Sequence, residues 1–238
     1  MRILITGGTG LLGSNLKKFF HLQNNEWGDI HTFAPDRKIL NIQDPVNVKH
    51  IIKVYNPDVI IHCAAIAKFK DAEENPKLTI STNIKGTCNL VEECIENNIR
   101  FIYISTSHVF DGNKGLYKHT DKVNPLTKYA KSKVAGELAT LIHENSLVIR
   151  TEFCGEDFPF EVAFTDKYSS KEYIDIITPK IGYKCIGTQI GICHVGGPRL
   201  SFYEFGKLRN PSVKPGSVKN LVQTSKVPIL IDTSLINN

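Results

Sequence analysis

The sequence has no long apolar run. Its apolar runs, such as residues 59–61, fall far short of the roughly 20 residues a spanning helix needs, so no membrane segment is expected. Strand-like residues begin at position 2, which leaves no room for a secretory leader. No Cys-x-x-Cys pair and no histidines at metal-ligand spacing occur, so no zinc site and no other metal is expected. Cys63, Cys88, Cys94, Cys154, Cys185 and Cys193 read instead as buried reduced thiols, which suits a cytoplasmic protein. No basic block interleaves with aromatics, which argues against nucleic acid as a partner. There is no internal repeat and no low-complexity tract.

What remains is ordinary for a soluble globular chain: 238 residues, 41% hydrophobic and 22% charged. That length supports one large α/β domain, or one domain with a small appendage. The net charge of +5 comes from scattered lysines, which read as a solvated basic surface with a mild bias toward phosphate-bearing ligands.

The most informative stretch is the beginning, Met1-Arg-Ile-Leu-Ile-Thr-Gly-Gly-Thr-Gly-Leu-Leu-Gly13. An apolar run breaks into glycines, and a helical pattern follows through Leu11, Leu12, Leu16, Phe19 and Phe20. Gly8, Gly10 and Gly13 fit G-x-G-x-x-G, the strand–turn–helix arrangement that receives a dinucleotide pyrophosphate on free helix N–H groups.

Strand-like segments at 29–33, 59–63, 101–105 and 147–150 alternate with helix-like ones at 46–53, 79–97 and 128–143. That alternation predicts a Rossmann-type, doubly wound parallel sheet with helices on both faces. Strands apolar throughout agree, since such a sheet is buried on both sides. Residues 1–150 form the expected nucleotide-binding layer. Beyond Arg150, helix-like 173–181, strand-like 191–195, helix-like 202–208 and a loop-like tail from Asn210 suggest a small C-terminal lobe. Residues 151–238 are thus expected to face substrate and add to the sheet without being an independent domain.

Tyr129-Ala-Lys-Ser-Lys133 places a phenol and an ammonium on one helix face. A free Tyr titrates at about 10 and is a weak acid–base group at neutral pH; a nearby ammonium favours its phenolate. Tyr203 and Lys207 have the same spacing, so spacing alone is not specific. Only Tyr129 follows a polar strand end, Ser105-Thr106-Ser107, at a suitable distance. Thr106 would stand where ligands bind in open α/β sheets, although a hydroxyl there can equally cap a turn.

Tyr103-Ile-Ser-Thr-Ser-His-Val-Phe-Asp-Gly112 resembles the ISTDYVFDG stretch of dTDP-4-dehydrorhamnose reductases, members of the extended short-chain dehydrogenase/reductase superfamily. Further segments resemble that superfamily in the same order: Thr6-Gly-Gly-Thr-Gly-Leu-Leu-Gly13, Pro57-Asp-Val-Ile-Ile-His-Cys-Ala-Ala65, Asn83-Ile-Lys-Gly-Thr87, Asn124-Pro-Leu-Thr-Lys-Tyr-Ala-Lys-Ser-Lys133 and Gly196-Gly-Pro-Arg-Leu-Ser201. The resemblance implies that Thr106 polarises a keto oxygen and Tyr129 protonates it. It gives Lys133 the tasks of lowering the Tyr129 pKa and holding the nicotinamide ribose. Gly7, Gly10 and Gly13, with Leu11 and Leu12 between the last two, would form the phosphate turn. Ala64 and Ala65 would lie against the cofactor, and Asn83 would support it from the next helix. The implied activity is NAD(P)H-dependent reduction of a nucleotide-activated 4-keto-6-deoxy sugar. An epimerase or dehydratase of the same superfamily and a non-catalytic dinucleotide-binding subunit are the alternatives. Relatives commonly pair, which leaves a homodimer open.

Departures from the pattern concern the substrate. His108 replaces the usual Tyr, Lys70 stands near an expected Asp, Asn41 replaces an Asp, and the region after Arg150 is shorter. Residues 163–175 are expected to face substrate in part. After the second strand, Asp36 suits a ribose 2′-OH and hence NAD, whereas Arg37 suits a 2′-phosphate and hence NADP. Arg37 with Lys38 tips the expectation toward NADP.

Overall fold

Residues 1–23, 28–220 and 228–238 are described by a computed structural model. The chain alternates as expected: β1 (Arg2–Thr6), α1 (Leu11–Leu22), β2 (His31–Phe33), α2 (Pro45–Tyr55) and β3 (Val59–His62). Two short helices, α3 (Phe69–Glu74) and α4 (Pro76–Thr79), lead through a π-helical turn (Ile80–Lys85) into α5 (Gly86–Asn97). Then come β4 (Arg100–Thr106), α6 (Lys128–Thr140) and β5 (Ser146–Thr151). The remainder contains β6 (Phe153–Cys154), β7 (Val162–Phe164), β8 (Tyr168–Ser169), β9 (Glu172–Tyr173) and α7 (Ile174–Ile186). It ends with β10 (Gly191–Val195), β11 (Leu200–Ser201), α8 (Phe202–Lys207) and β12 (Lys214–Gly216).

Six strands form one parallel sheet in the order β10-β5-β4-β3-β1-β2. The sequence dictates burial on both faces. In β1, Ile3 and Ile5 project to one side with α1 and α7, through Leu16, Phe20, Ile177 and Ile181. Leu4 projects to the other, with Val48 and Ile52 of α2 and Leu90 and Val91 of α5. The chain steps from β1 outward to β2 and then back to β3 on the opposite side. That reversal opens a crevice beyond the carboxyl ends of β1 and β3.

Residues after Arg150 contribute the edge strand β10 and the covering helix α7 to this layer. Short strand pairs β11–β8, β12–β7 and β6–β9 make up the small C-terminal region. The tail is less loop-like than expected. Leu235 pairs with Tyr117 and Asp232 with Tyr168 in isolated bridges. Residues 221–227 of that tail lie outside the described residues. The helix expected over 79–97 is broken at 80–85, and the π-helical turn buries Thr82 and Asn83. All six cysteines are free thiols; Cys94, Cys185 and Cys193 are buried, and the other three are half-buried. Among the described residues, no helix is long and apolar enough to cross a membrane.

One buried ion pair ties the layers together. The Arg150 guanidinium of β5 donates twice to the Glu137 carboxylate of α6, from Nε at 3.0 Å and Nη2 at 2.8 Å. The Ser105 hydroxyl of β4 donates to the same carboxylate at 2.5 Å. Arg150 and Glu137 are each only 3% exposed. Removing one partner strands a buried charge, so Glu137→Ala should destabilise the fold by about 3–5 kcal/mol. Ser105→Ala should cost about 1 kcal/mol. Urea unfolding midpoints measure both, and equal small losses would show that the pair is not structurally important.

Candidate functional site

The site begins at the glycine turn. β1 ends at Thr6, and Gly7 turns the chain with φ +69°, a left-handed conformation that glycine adopts without strain. The Gly10 N–H donates to the Gly7 carbonyl at 2.9 Å, and α1 starts at once. No side chain caps α1 among the described residues. By contrast, Asp44 and Thr127 cap α2 and α6. The first N–H groups of α1 are therefore left to receive an anion. A Cβ on Gly13 would run into the Gly7 carbonyl, so a glycine is needed there for the helix to approach the turn. Leu12 is buried in the core and Leu11 is exposed, so only the backbone of these two residues can serve a phosphate.

Gly7 and Gly10 line a cleft of about 270 Å³ with Pro35, Arg37, Ala64 and Ala65. Arg37 stands at its edge, with Nη2 donating to the Gln43 side chain at 2.9 Å. Asp36 is used differently. Its carboxylate accepts from the Lys38 and Ile39 N–H groups and shapes the local turn. Asn83 does not line the cleft. It accepts from the Ile66 N–H at 2.7 Å and donates to the Ser132 hydroxyl at 2.9 Å, pinning the loop after β3 to α6. Asn83 thus supports the loop beside the cleft through a positioning link.

A second cleft of about 330 Å³ adjoins the first and shares Cys63 and Ala65 with it. Thr106, Tyr129 and Lys133 all line this second half. Thr106 ends β4, where its hydroxyl accepts from the His108 N–H at 3.2 Å and also faces the Tyr129 phenol. The hydroxyl thus caps a turn while the residue lines the cleft. Tyr129 and Lys133 project from α6, and the Lys133 ammonium lies 4.0 Å from the Tyr103 ring centroid. The sequence control behaves differently. Lys207 bends back to the Pro211 carbonyl, and neither it nor Tyr203 lines the cleft.

Burial dominates the electrostatics of the pair. It pushes the Tyr129 phenol up to about 12, with the Thr106 hydroxyl pulling down and Glu152 adding to the rise. It also brings the Lys133 ammonium down to about 7. Sequence reading missed Glu152. This carboxylate follows β5 directly and accepts from the Ser107 hydroxyl at 2.7 Å. Lys171 lies 3.2 Å and the His108 Nε2 3.7 Å from it. Burial opposes ionisation there, but Lys171, His108 and Ser107 hold Glu152 well below the usual carboxylate range. Lys167, Lys171 and Phe202 complete the wall. Glu152 could have been found from its strand-end position. Lys167 and Lys171 fall within the segment 163–175 expected to face substrate in part, without individual roles, and Phe202 opens the helix-like 202–208 with nothing in the sequence to mark it as a wall residue.

Lys133 carries a pH signature. Its ammonium persists up to the ordinary 10.5 in the unfolded chain but only to about 7 in the fold. Between these values the unfolded state holds the extra proton, so stability rises with pH across the window and is flat below it. From about pH 7 to about pH 8.5, short of ordinary Cys and Tyr ionisation, denaturation midpoints should climb. Lys133→Met should flatten the climb; equal slopes in both proteins would show that the buried amine stays charged.

Residues 1–183 match the family described as the RmlD substrate binding domain. The chain is 39% identical over 150 residues to methionine adenosyltransferase 2 subunit beta of Bos taurus, covering 61% of this chain and 44% of that one. It is 38% identical over 154 residues to the dTDP-4-dehydrorhamnose reductase of Aggregatibacter actinomycetemcomitans, covering 64% and 51%. The chain thus spans about half the length of these curated relatives. A dTDP-4-dehydrorhamnose reductase from Bacillus anthracis, solved in complex with NADP, superposes with a TM-score of 0.86 at 24% identity. That match covers 100% of this chain and 90% of the other, and it shows a shared fold. The chain belongs to the RmlD substrate binding domain family, within the extended short-chain dehydrogenase/reductase superfamily.

Proposed function

We propose that the protein is an NAD(P)H-dependent reductase of a nucleotide-activated 4-keto-6-deoxy sugar. The observation that carries this reading is the convergence of Thr106, Tyr129 and Lys133 in the half-cleft beside the glycine turn. The residues present suit a dinucleotide: an uncapped helix N-terminus, a turn without side chains and small Ala64 and Ala65 at the strand end. Arg37 at the cleft edge, with Asp36 committed to its own turn, favours NADP over NAD.

A bound nicotinamide supplies the hydride that reduces the sugar carbonyl. Thr106 donates to the carbonyl oxygen and stabilises the charge that develops on it. Tyr129 gives the proton. Burial suits it to that direction, since a phenol near 12 stays protonated at neutral pH until an oxyanion needs it. Lys133, on the same helix face, then faces the phenolate with an ammonium poised near 7. A dehydratase is less well served. Ser107 and His108 follow Thr106, and the nearby carboxylate of Glu152 is already held by Lys171 and His108.

A second reading draws on the likeness to methionine adenosyltransferase 2 subunit beta, which is by name a component of another enzyme. On that reading the chain binds a dinucleotide without turnover. The purified protein should consume NADPH stoichiometrically with a nucleotide-linked 4-keto-6-deoxy sugar such as dTDP-4-dehydrorhamnose. Tyr129→Phe should lower kcat by about a hundredfold or more while leaving NADP+ affinity unchanged. Epimerase chemistry would return the reduced cofactor, and tight dinucleotide binding with no turnover across a panel of keto-sugar nucleotides would favour the second reading.

A further inference from the structure

Two buried polar atoms in the substrate half of the cleft have no hydrogen-bond partner among the described residues: the Thr151 hydroxyl and the His108 Nδ1. The other such atoms, on Gln23, Arg100 and His194, belong to residues outside this cleft. Thr151 is 2% exposed, so bulk solvent has little access to it. It is also the register partner of Thr106 across β4 and β5. Side chains paired in this way share a face, and neighbouring strands lie about 4.8 Å apart. A group that meets Thr151 is therefore close to one that meets Thr106. His108 is fixed on two sides. Its Nε2 faces Glu152 at 3.7 Å, and the Phe69 ring lies 4.9 Å from the imidazole. Glu152 is itself occupied by Ser107 at 2.7 Å and Lys171 at 3.2 Å, which leaves the second imidazole nitrogen for a ligand.

An apolar ligand would bury both atoms without a partner, which is unfavourable. A ring bearing several hydroxyls satisfies them, because each hydroxyl donates one hydrogen bond and accepts others. We propose that Thr151 and His108 read a sugar hydroxyl on a carbon neighbouring the carbonyl that Thr106 faces. This deepens the nucleotide-sugar reading and rests on it. The pair also gives a use to His108, which stands where the reductase pattern carries Tyr.

The test is calorimetry in the presence of NADP+, with dTDP-rhamnose against dTDP and UDP-glucose against UDP as probe pairs. The unaltered protein should bind one nucleotide sugar at least about tenfold more tightly than its bare nucleotide. Thr151→Val and His108→Phe should each remove most of that gain, and Thr151→Ser should keep it. Affinities for NADP+ and for the bare nucleotide should not move in any variant, which a merely structural defect would not allow. A sugar gain unchanged in both variants, or no gain for either sugar in the unaltered protein, overturns the proposal. The two levels separate cleanly. Loss of the gain in the variants without NADPH consumption in the unaltered protein removes the reductase reading and keeps the hydroxyl reading. NADPH consumption with an unchanged gain does the reverse.

Discussion

The Arg150–Glu137–Ser105 link is the constraint from which the site inherits its geometry. Thr106 is placed by β4, whereas Tyr129 and Lys133 are placed by α6, and nothing in a strand–helix packing interface sets their mutual distance closely. The Glu137 carboxylate does. It sits one helical turn beyond Lys133 and takes hydrogen bonds from the residue before Thr106 and from the neighbouring strand. Glycine at 136 lets the helix settle onto β4, because a Cβ there would meet the Tyr103 hydroxyl. The Tyr103 hydroxyl in turn donates to the Lys133 carbonyl at 3.3 Å. A buried ion pair is weak evidence for stability on its own account. Here its value lies in specificity, since a greasy substitute would hold the layers together without fixing the rotation of α6.

Burial does the electrostatic tuning. The interior that raises the Tyr129 phenol lowers the Lys133 ammonium, and both shifts favour neutral side chains near pH 7. A neutral phenol is a competent acid, and a lysine near its midpoint recovers its proton as soon as negative charge appears beside it. The same logic excludes reactivity elsewhere. Cys63 lies where the two half-clefts meet, yet burial pushes its thiol up to about 12, so it behaves as a small wall residue. His62 beneath it is pushed down to about 3 by burial and bridges Thr6 and Thr87, as a neutral strut between β1, β3 and α5.

What the sequence made legible was what physics writes locally. The alternation of apolar strands and helices carries the parallel sheet, and the glycine turn carries the anion site, because each depends on neighbouring residues. Thr106, Tyr129 and Lys133 could be paired because a strand end and a helix start lie close in sequence. Asn83 could be given a supporting role only through the resemblance, because its link from the loop after β3 to α6 joins segments distant in the chain. The charge of Lys133 is visible in sequence, whereas the depth of burial that raises Tyr129 and lowers Lys133 is not. Glu152, Lys167 and Lys171 came together only through folding. Their segment carries no period, and the two-residue strands β8 and β9 leave no pattern to read.

The outer wall of the cleft shows how such irregular stretches become a site. Thr233 donates to Glu152 at 3.2 Å, Ser170 exchanges hydrogen bonds with Leu235, and Arg199 pairs with Asp232 at 2.8 Å. Each contact joins segments far apart in the chain, and the first reaches the carboxylate beside His108 and Lys171. The wall combines these long-range hydrogen bonds with an apolar cluster of Phe158, Ala163, Tyr173, Phe205 and Val213, against which the wall residue Phe202 packs. Glu152 then holds two basic side chains, Lys171 and His108, at the far end of the cleft, so the position of both depends on contacts between segments distant in the chain.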